Sequence, residues 1–142
     1  MSNTSVRVCV RLRPSRVPGS SASSTKSPQV LNTRKNAGVV LGDKHFCYDG
    51  VFGPHCSQSE VYTGCAVEEM CQNVVDGYNS TVVTYGQTGS GKTFTMEGFS
   101  YDSFDSGARP RIDFDVYEND LGVMPRAARS IFQQAQQVRE IN

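Results

Sequence analysis

The segment GQTGSGKT at residues 86–93 constrains the fold more than any other part of the chain. It matches the pattern G-x-x-x-x-G-K-[ST] in full. It directly follows STVVTY (80–85), a short run rich in β-branched residues that predicts a buried strand. A strand, a glycine-rich turn and a helix starting near Lys92 then occur in the order that a phosphate-binding loop requires. The pattern predicts a three-layer α/β domain with this loop at the carboxyl end of the 80–85 strand.

The residue types in this loop suit the phosphates of a nucleotide. Gly86, Gly89 and Gly91 let successive backbone N–H groups turn inward around an anion, because glycine adopts backbone angles that side chains disfavour. Lys92 supplies a cation for the β- and γ-phosphates, and the hydroxyl of Thr93 is placed to bind Mg²⁺. The predicted phosphate-binding residues are Gly86, Gln87, Thr88, Gly89, Ser90, Gly91, Lys92 and Thr93. The alternative is a Gly-Ser turn that carries an exposed lysine.

Composition and charge argue against several classes of partner. The 142-residue chain carries 14 Lys and Arg against 14 Asp and Glu, so no overall charge would attract nucleic acid or an anionic membrane. Its five cysteines contain no C-x-x-C pair, which favours reduced thiols over a disulfide framework or a zinc site. No apolar run approaches the roughly 18 residues of a membrane span, and residues 1–14 contain no signal-peptide core. We therefore expect a cytoplasmic protein.

The N-terminal part of the chain alternates between strand-like and loop-like segments. Apolar and polar side chains alternate over residues 6–13, as in a half-buried strand. Residues 39–42 and 45–53 are shorter strand candidates. Between these segments, residues 15–38 are rich in Ser, Pro and Gly and predict a surface loop.

Two longer helices are predicted besides the one that follows the phosphate loop. The first begins at a capping box formed by Ser57 and Glu60 and ends at Gly77, with an apolar face that we expect to join the core. The second occupies residues 127–142, with Pro125 near its start. Its apolar stripe consists of Ala128, Ile131, Phe132, Ala135 and Val138. The stripe has too few heptads for a dimerising coiled coil, so no oligomerisation region is predicted.

Four segments resemble kinesin motor domains in sequence, order and spacing. They are VRVCVRLRP (6–14), FCYDGVFGPHCSQSEVY (46–62), YGQTGSGKTFTMEG (85–98) and GVMPRAARSIF (122–132). Together they are far more specific than the phosphate loop alone. The resemblance implies a P-loop NTPase fold of the kinesin type, ATP and Mg²⁺ as cofactors, and microtubules, which are built of tubulin, as the partner. It implies a microtubule-associated, cytoskeletal location.

The resemblance also implies which residues contact the adenine base. In kinesins the strand ending R-x-R-P lies beside the base, so Arg11, Arg13 and Pro14 are expected to form one wall of the base site. Phe94 matches the position that stacks on the other side. Guanidinium planes and a proline ring both pack on π-faces. From the residues alone, the alternative is that Phe94 is a core residue and the two arginines solvate the outer face of the strand.

The chain departs from the family pattern in two ways. Residues 99–121 form a long version of the loop that interrupts the helix after the phosphate loop, with six acidic residues against two arginines. We expect a solvated loop, and the sharper hypothesis is that it modulates nucleotide exchange. The two switch motifs N-x-x-S-S-R-S-H and D-L-A-G-S-E are missing. Since those motifs sense the γ-phosphate and position water, residues 1–142 alone are expected to be inactive as an ATPase.

Residues 1–142 are therefore interpreted as the N-terminal part of a kinesin-like motor domain, whose mixed sheet is only partly encoded and whose microtubule-facing elements lie mostly elsewhere. The full-length protein would couple ATP hydrolysis to movement along microtubules. Two alternatives stay open: a truncated, non-motile nucleotide-binding remnant or regulatory fragment, and an unrelated P-loop NTPase. Switch motifs encoded in frame past Asn142 would decide for the motor. Because a partial sheet leaves an edge open, we expect the isolated chain to aggregate or to stay partly molten.

Overall fold

The structure, a computed structural model, describes residues 6–14, 28–32, 37–98 and 119–141. The chain forms two compact units, Met1–Cys56 and Ser57–Asn142. Most of the loop predicted at 15–38, and all but the last three residues of the acidic loop predicted at 99–121, lie outside the described residues. The described strands belong to the first unit and the described helices to the second.

The strands of the first unit form two small sheets. Their bounds are β1 (Cys9–Arg11), β2 (Gln29–Asn32), β3 (Ala37–Leu41), β4 (Lys44–Tyr48) and β5 (Gly50–Phe52). β1 pairs in parallel with β5, which places Val10 opposite Val51. β2, β3 and β4 form an antiparallel meander in which Val39, a buried residue, lies between Val30 and Phe46. Branched and aromatic side chains favour these strands because they pack well on a pleated surface.

The strands differ from the prediction in three places. The strand predicted over 6–13 is confined to Cys9–Arg11, since the register with β5 covers only these residues, and Val6 is 83% exposed. The strand predicted over 45–53 is two strands of different sheets, divided at Asp49. Asp49 binds the chain before β1, because its N–H donates to the Val8 carbonyl at 3.0 Å and its carboxylate accepts from the Val8 N–H at 2.7 Å. β2 lies inside the predicted loop, since its backbone pairs with β3.

The helices of the second unit are α1 (Gln58–Gly64), α2 (Val67–Val75), α3 (Lys92–Glu97) and α4 (Val123–Ile141). The predicted capping box is confirmed: the Ser57 hydroxyl accepts from the Glu60 N–H at 3.2 Å, and the Glu60 carboxylate accepts from the Ser57 N–H at 2.7 Å. Gly77 has the predicted left-handed backbone, with φ of 93°. The single helix predicted between these residues is wrong, because Ala66 turns left-handed at φ 55° and divides it into α1 and α2.

The core of the second unit lies between α1, α2 and α4. Its buried residues are Tyr62, Val67, Cys71 and Val123, against which Cys65, Met96, Ala127 and Ile131 pack. α4 begins at Val123 and not at 127, and the predicted apolar stripe is only partly right. Ile131 faces the core, whereas Phe132 is 72% exposed and Val138 is 48% exposed. Among the described residues, no helix combines the length and hydropathy needed to cross a membrane.

The strand predicted at 80–85 does not form. No ladder in the described part of the chain includes these residues, and a strand persists only where its backbone groups pair with a neighbour. Val83 is 78% exposed and Tyr85 is fully exposed, so the predicted burial is wrong as well.

A polar network joins α2 to α1 and α4 through Glu68. Its carboxylate accepts from the Tyr62 hydroxyl at 2.7 Å, the Ser130 hydroxyl at 2.7 Å and the Gln134 side-chain amide at 2.9 Å. These donors, Ser130 first, lower the pKa of Glu68. Burial, followed by the hydrogen bond to Glu68, raises the pKa of Tyr62. Glu68 is therefore held as a carboxylate and Tyr62 as a neutral phenol.

Candidate nucleotide-binding site

The phosphate-loop segment 86–91 is a tight turn that leads into α3. The Ser90 N–H donates to the Gln87 carbonyl at 3.1 Å and closes the turn. A Cβ on Gly86 would lie 2.6 Å from the Ser90 hydroxyl oxygen, and Gly91 has a left-handed backbone with φ of 102°. The left-handed backbone thus favours glycine at position 91, and a Cβ at position 86 would force the Ser90 hydroxyl to rotate away.

The start of α3 has the properties of an anion site. Gly91 caps the helix without any side-chain hydrogen bond to its first N–H groups. These first groups have no acceptor within the helix, and they carry the positive end of its dipole. Phosphate oxygens fit there because they accept hydrogen bonds and carry negative charge.

Lys92 folds back over the loop that precedes it. Its Nζ donates to the Gly86 carbonyl at 2.8 Å and to the Gln87 carbonyl at 2.9 Å. An ammonium has three N–H donors, so one remains for a further acceptor. The lysine thus holds the turn together and places a positive charge beside it. In the alternative of a Gly-Ser turn with an exposed lysine, the same two bonds would only close the turn, so the phosphate-binding role of Lys92 stays a prediction.

Gln58 is hydrogen-bonded to α3 at Phe94. Phe94 is 46% exposed, and α3 has no buried residues. The alternative that Phe94 is a core residue is therefore wrong. The Gln58 side-chain amide, buried at the start of α1, donates to the Phe94 carbonyl at 2.7 Å. Gln58 was not among the predicted site residues, although it belongs to the segment FCYDGVFGPHCSQSEVY (46–62) that resembles kinesins.

The residues predicted to form the other wall of the base site belong to the first unit. Arg11 lies in β1, and its guanidinium donates to the Cys56 carbonyl at 3.3 Å. Arg13 and Pro14 follow the strand and are exposed. The second unit holds residues 86–94. A base site formed by Arg11, Arg13 and Pro14 together with Phe94 stays a prediction.

The potential metal ligands among the described residues suit a magnesium ion bound mainly by nucleotide phosphates better than a metal ion bound by side chains alone. No group of three His, Cys, Asp or Glu residues comes together within the described ranges in a way that could hold a metal ion. The five cysteines are free thiols. The exposed Thr93 hydroxyl in the first turn of α3 is a hard oxygen ligand, and Mg²⁺ takes one or two protein oxygens together with phosphates and water.

Comparison with known proteins identifies the family. The kinesin motor domain family model matches residues 10–142. The chain belongs to the kinesin motor domain family. Kinesin-like protein klp-12 of Caenorhabditis elegans is 38% identical over 139 residues, which is 93% of this chain and 8% of klp-12. The resemblance inferred from four segments is thereby confirmed.

Solved kinesin structures confirm the fold class. Drosophila NOD in complex with AMPPNP matches with a TM-score of 0.73 and 26% identity, over 97% of this chain and 42% of that one. NOD docked with bovine tubulin into a map of NOD complexed to the microtubule matches with a TM-score of 0.71 and 25% identity, over 96% of this chain and 40% of that one. The predicted α/β fold of the kinesin motor type is correct. The chain spans well under half of each protein compared.

Proposed function

We propose that residues 86–93 bind the phosphates of ATP with Mg²⁺, and that the whole protein hydrolyses ATP to move along microtubules in the cytoplasm. The two bonds of Lys92 to the loop carbonyls carry the proposal, because they place a cation beside an uncapped helix start. Two findings on a similar protein support it. NOD has been solved with the nucleotide AMPPNP and docked into a map of its complex with the microtubule.

Each part of the loop has a separate task in this proposal. Backbone N–H groups of the turn and of the first turn of α3 donate to phosphate oxygens. The remaining donor of Lys92 takes another, and the Thr93 hydroxyl joins the coordination shell of Mg²⁺. Bound magnesium supplies charge neutralisation between the phosphates. The chain's own residues bind and orient the nucleotide.

Removal of the Lys92 ammonium tests the proposal. We expect Lys92→Ala to weaken binding of a fluorescent ATP analogue by about 10- to 100-fold, the value of one charge-assisted hydrogen bond lost. Lys44→Ala is the matched control, since Lys44 is an exposed lysine in β4 of the other unit. Equal affinity of both variants would refute the role of Lys92.

Motility needs the full-length protein. The Lys92→Ala form should bind microtubules but fail to glide them with ATP, whereas Lys44→Ala should glide them normally. A full-length protein that binds ATP yet releases no phosphate would favour the alternative of a non-motile nucleotide-binding protein.

A further inference from the structure

We propose that Gln58 is a positioning residue for the nucleotide phosphates, because its side-chain amide fixes the short helix that carries Lys92 and Thr93. The inference rests on the proposed function in one respect, which is that phosphates are the ligand of residues 86–93.

The side chain of Gln58 is polar but buried, and burial of a polar side chain costs free energy unless the side chain is hydrogen-bonded. It is 4% exposed, and its Nε2 donates to the Phe94 carbonyl at 2.7 Å across 36 residues of sequence. A methionine would fill a similar volume with no polar group to satisfy. A buried amide is retained without loss of stability only while it is hydrogen-bonded.

The backbone of Gln58 is held in place at the start of α1. Gln58 is the first residue of α1, directly after the capping box of Ser57 and Glu60. The same helix buries Val61 at 3% exposure and Tyr62 at 8%. Capping and burial hold the backbone of Gln58, so its side chain transmits the position of α1 to α3.

The helix that receives this hydrogen bond is short. α3 has six residues, none of them buried, and no side-chain cap at its start. At the other end Gly122 N–H donates to Glu97 O at 3.1 Å, and Met96 packs on the core. Gln58 thus acts at the residue next to Thr93, while these other two contacts hold the end of the helix.

Phosphate binding is sensitive to this placement because hydrogen bonds weaken steeply when donors shift or tilt. Without the amide, α3 can slide or rotate relative to α1. The N–H groups at its start, Lys92 and Thr93 would move with it. The contacts weakened are those to phosphates, which ATP and pyrophosphate share. The Kd values of both ligands should therefore rise by the same factor.

Two variants of Gln58 and one control test the inference. Gln58→Met keeps the volume and removes the donor, and Gln58→Glu places a carboxylate oxygen against the carbonyl. Ser130→Ala is the control, since Ser130 is also buried and hydrogen-bonded in the second unit but bonds Glu68 and not α3. The measurements are Tm and the Kd values of ATP and pyrophosphate, made on the full-length protein and corrected for the folded fraction.

We expect both Gln58 variants to weaken ATP and pyrophosphate equally, by about 10-fold, which is one hydrogen bond of ordinary strength. Ser130→Ala should lower Tm to a similar extent and leave both Kd values unchanged. Wild-type pyrophosphate affinity in folded Gln58→Met would overturn the inference. An equal loss of affinity in Ser130→Ala would also overturn it, because a general loss of stability would then suffice.

One measurement needs no variant. The side-chain amide resonance of Gln58 in the full-length wild-type protein should shift when pyrophosphate is added, and an unmoved resonance in the bound state would refute the inference. Failure of the proposed function would give a different result: wild type would bind neither ATP nor pyrophosphate, or Lys92→Ala would bind both normally.

Discussion

At the scale of single residues, Lys92 determines the charge and the shape of the phosphate loop together. Its two bonds to carbonyl oxygens, at 2.8 and 2.9 Å, hold the ammonium against the turn. A cation placed in advance costs a bound phosphate less reorganisation than one recruited from solvent. In the proposed function, Lys92 would therefore contribute to phosphate binding through loop geometry as well as through charge.

Phe94 is proposed to contact the base and not the phosphates, so its substitution distinguishes the two parts of the nucleotide site. It lies beside the loop and is 46% exposed. We predict that Phe94→Ala weakens ATP by about 5- to 100-fold, since stacking of a base on an aromatic ring contributes about 1–3 kcal/mol. Pyrophosphate has no base, so its Kd should stay at the wild-type value. Isothermal titration with both ligands checks this, and a parallel loss of pyrophosphate affinity would count against stacking.

At the scale of elements, a close backbone contact joins the end of α3 to the start of α4. The Gly122 N–H donates to the Glu97 carbonyl, and a Cβ on Gly122 would lie 2.5 Å from the Met96 carbonyl group. The described residues on either side of the acidic segment, Glu97 and Gly122, thus lie next to each other. The backbone there approaches too closely for a side chain.

We predict that Gly122→Ala destabilises the full-length protein by about 1–3 kcal/mol, because the Cβ must displace backbone atoms that cannot rotate away. Tm should fall by about 3–10 °C in thermal unfolding. Gly53→Ala is the control, since nothing lies within 4 Å of its Cβ position. A Gly122→Ala melt equal to that of Gly53→Ala would show that the backbone contact is looser than described.

The Glu68 network predicts how helix packing depends on pH. The pKa of Glu68 is lowered in the folded chain, from a usual value of 4.5. Its ionised form therefore adds stability above that usual value, and this stability is lost as pH falls through the folded pKa. We expect the difference in unfolding free energy between the wild-type and Glu68→Gln forms of the full-length protein to be largest near neutral pH and to shrink as pH falls below that usual value. Urea unfolding at several pH values measures it, and a constant difference would exclude ionisation as its source.

At the scale of the whole molecule, many large apolar side chains of the described residues lie exposed, and three of the most exposed bear on association. Val83 and Tyr85 are 78% and 100% exposed in the segment before the phosphate loop, and Phe132 is 72% exposed on α4. Exposed apolar area of this kind favours association.

We predict that the 142-residue chain expressed alone elutes as a concentration-dependent oligomer or binds hydrophobic dyes. Size-exclusion chromatography and near-UV circular dichroism measure this. Val83→Thr combined with Phe132→Gln should shift the chain toward monomer without weakening nucleotide binding. A sharp monomeric peak and a cooperative melt of the unmodified chain would contradict the prediction.

Local patterns were the part of this protein that the sequence by itself determined. The capping box at Ser57 and Glu60, the left-handed Gly77, the turn of the phosphate loop and the start of α3 involve residues at most a few positions apart. The kinesin family followed from four segments read in order. Short-range hydrogen bonds and backbone sterics are encoded within such windows, so residue types suffice to predict them.

Tertiary structure decided everything that depended on a distant partner. STVVTY has the composition of a strand but forms none, because no ladder in the described ranges includes it. α4 presents Ala127 and Ile131 to the core and leaves Phe132 outside, since the packed neighbours and not the hydrophobic period select the face. The bond from Gln58 to Phe94 spans 36 residues. Such contacts form only when the chain folds, so a sequence pattern carries no record of them.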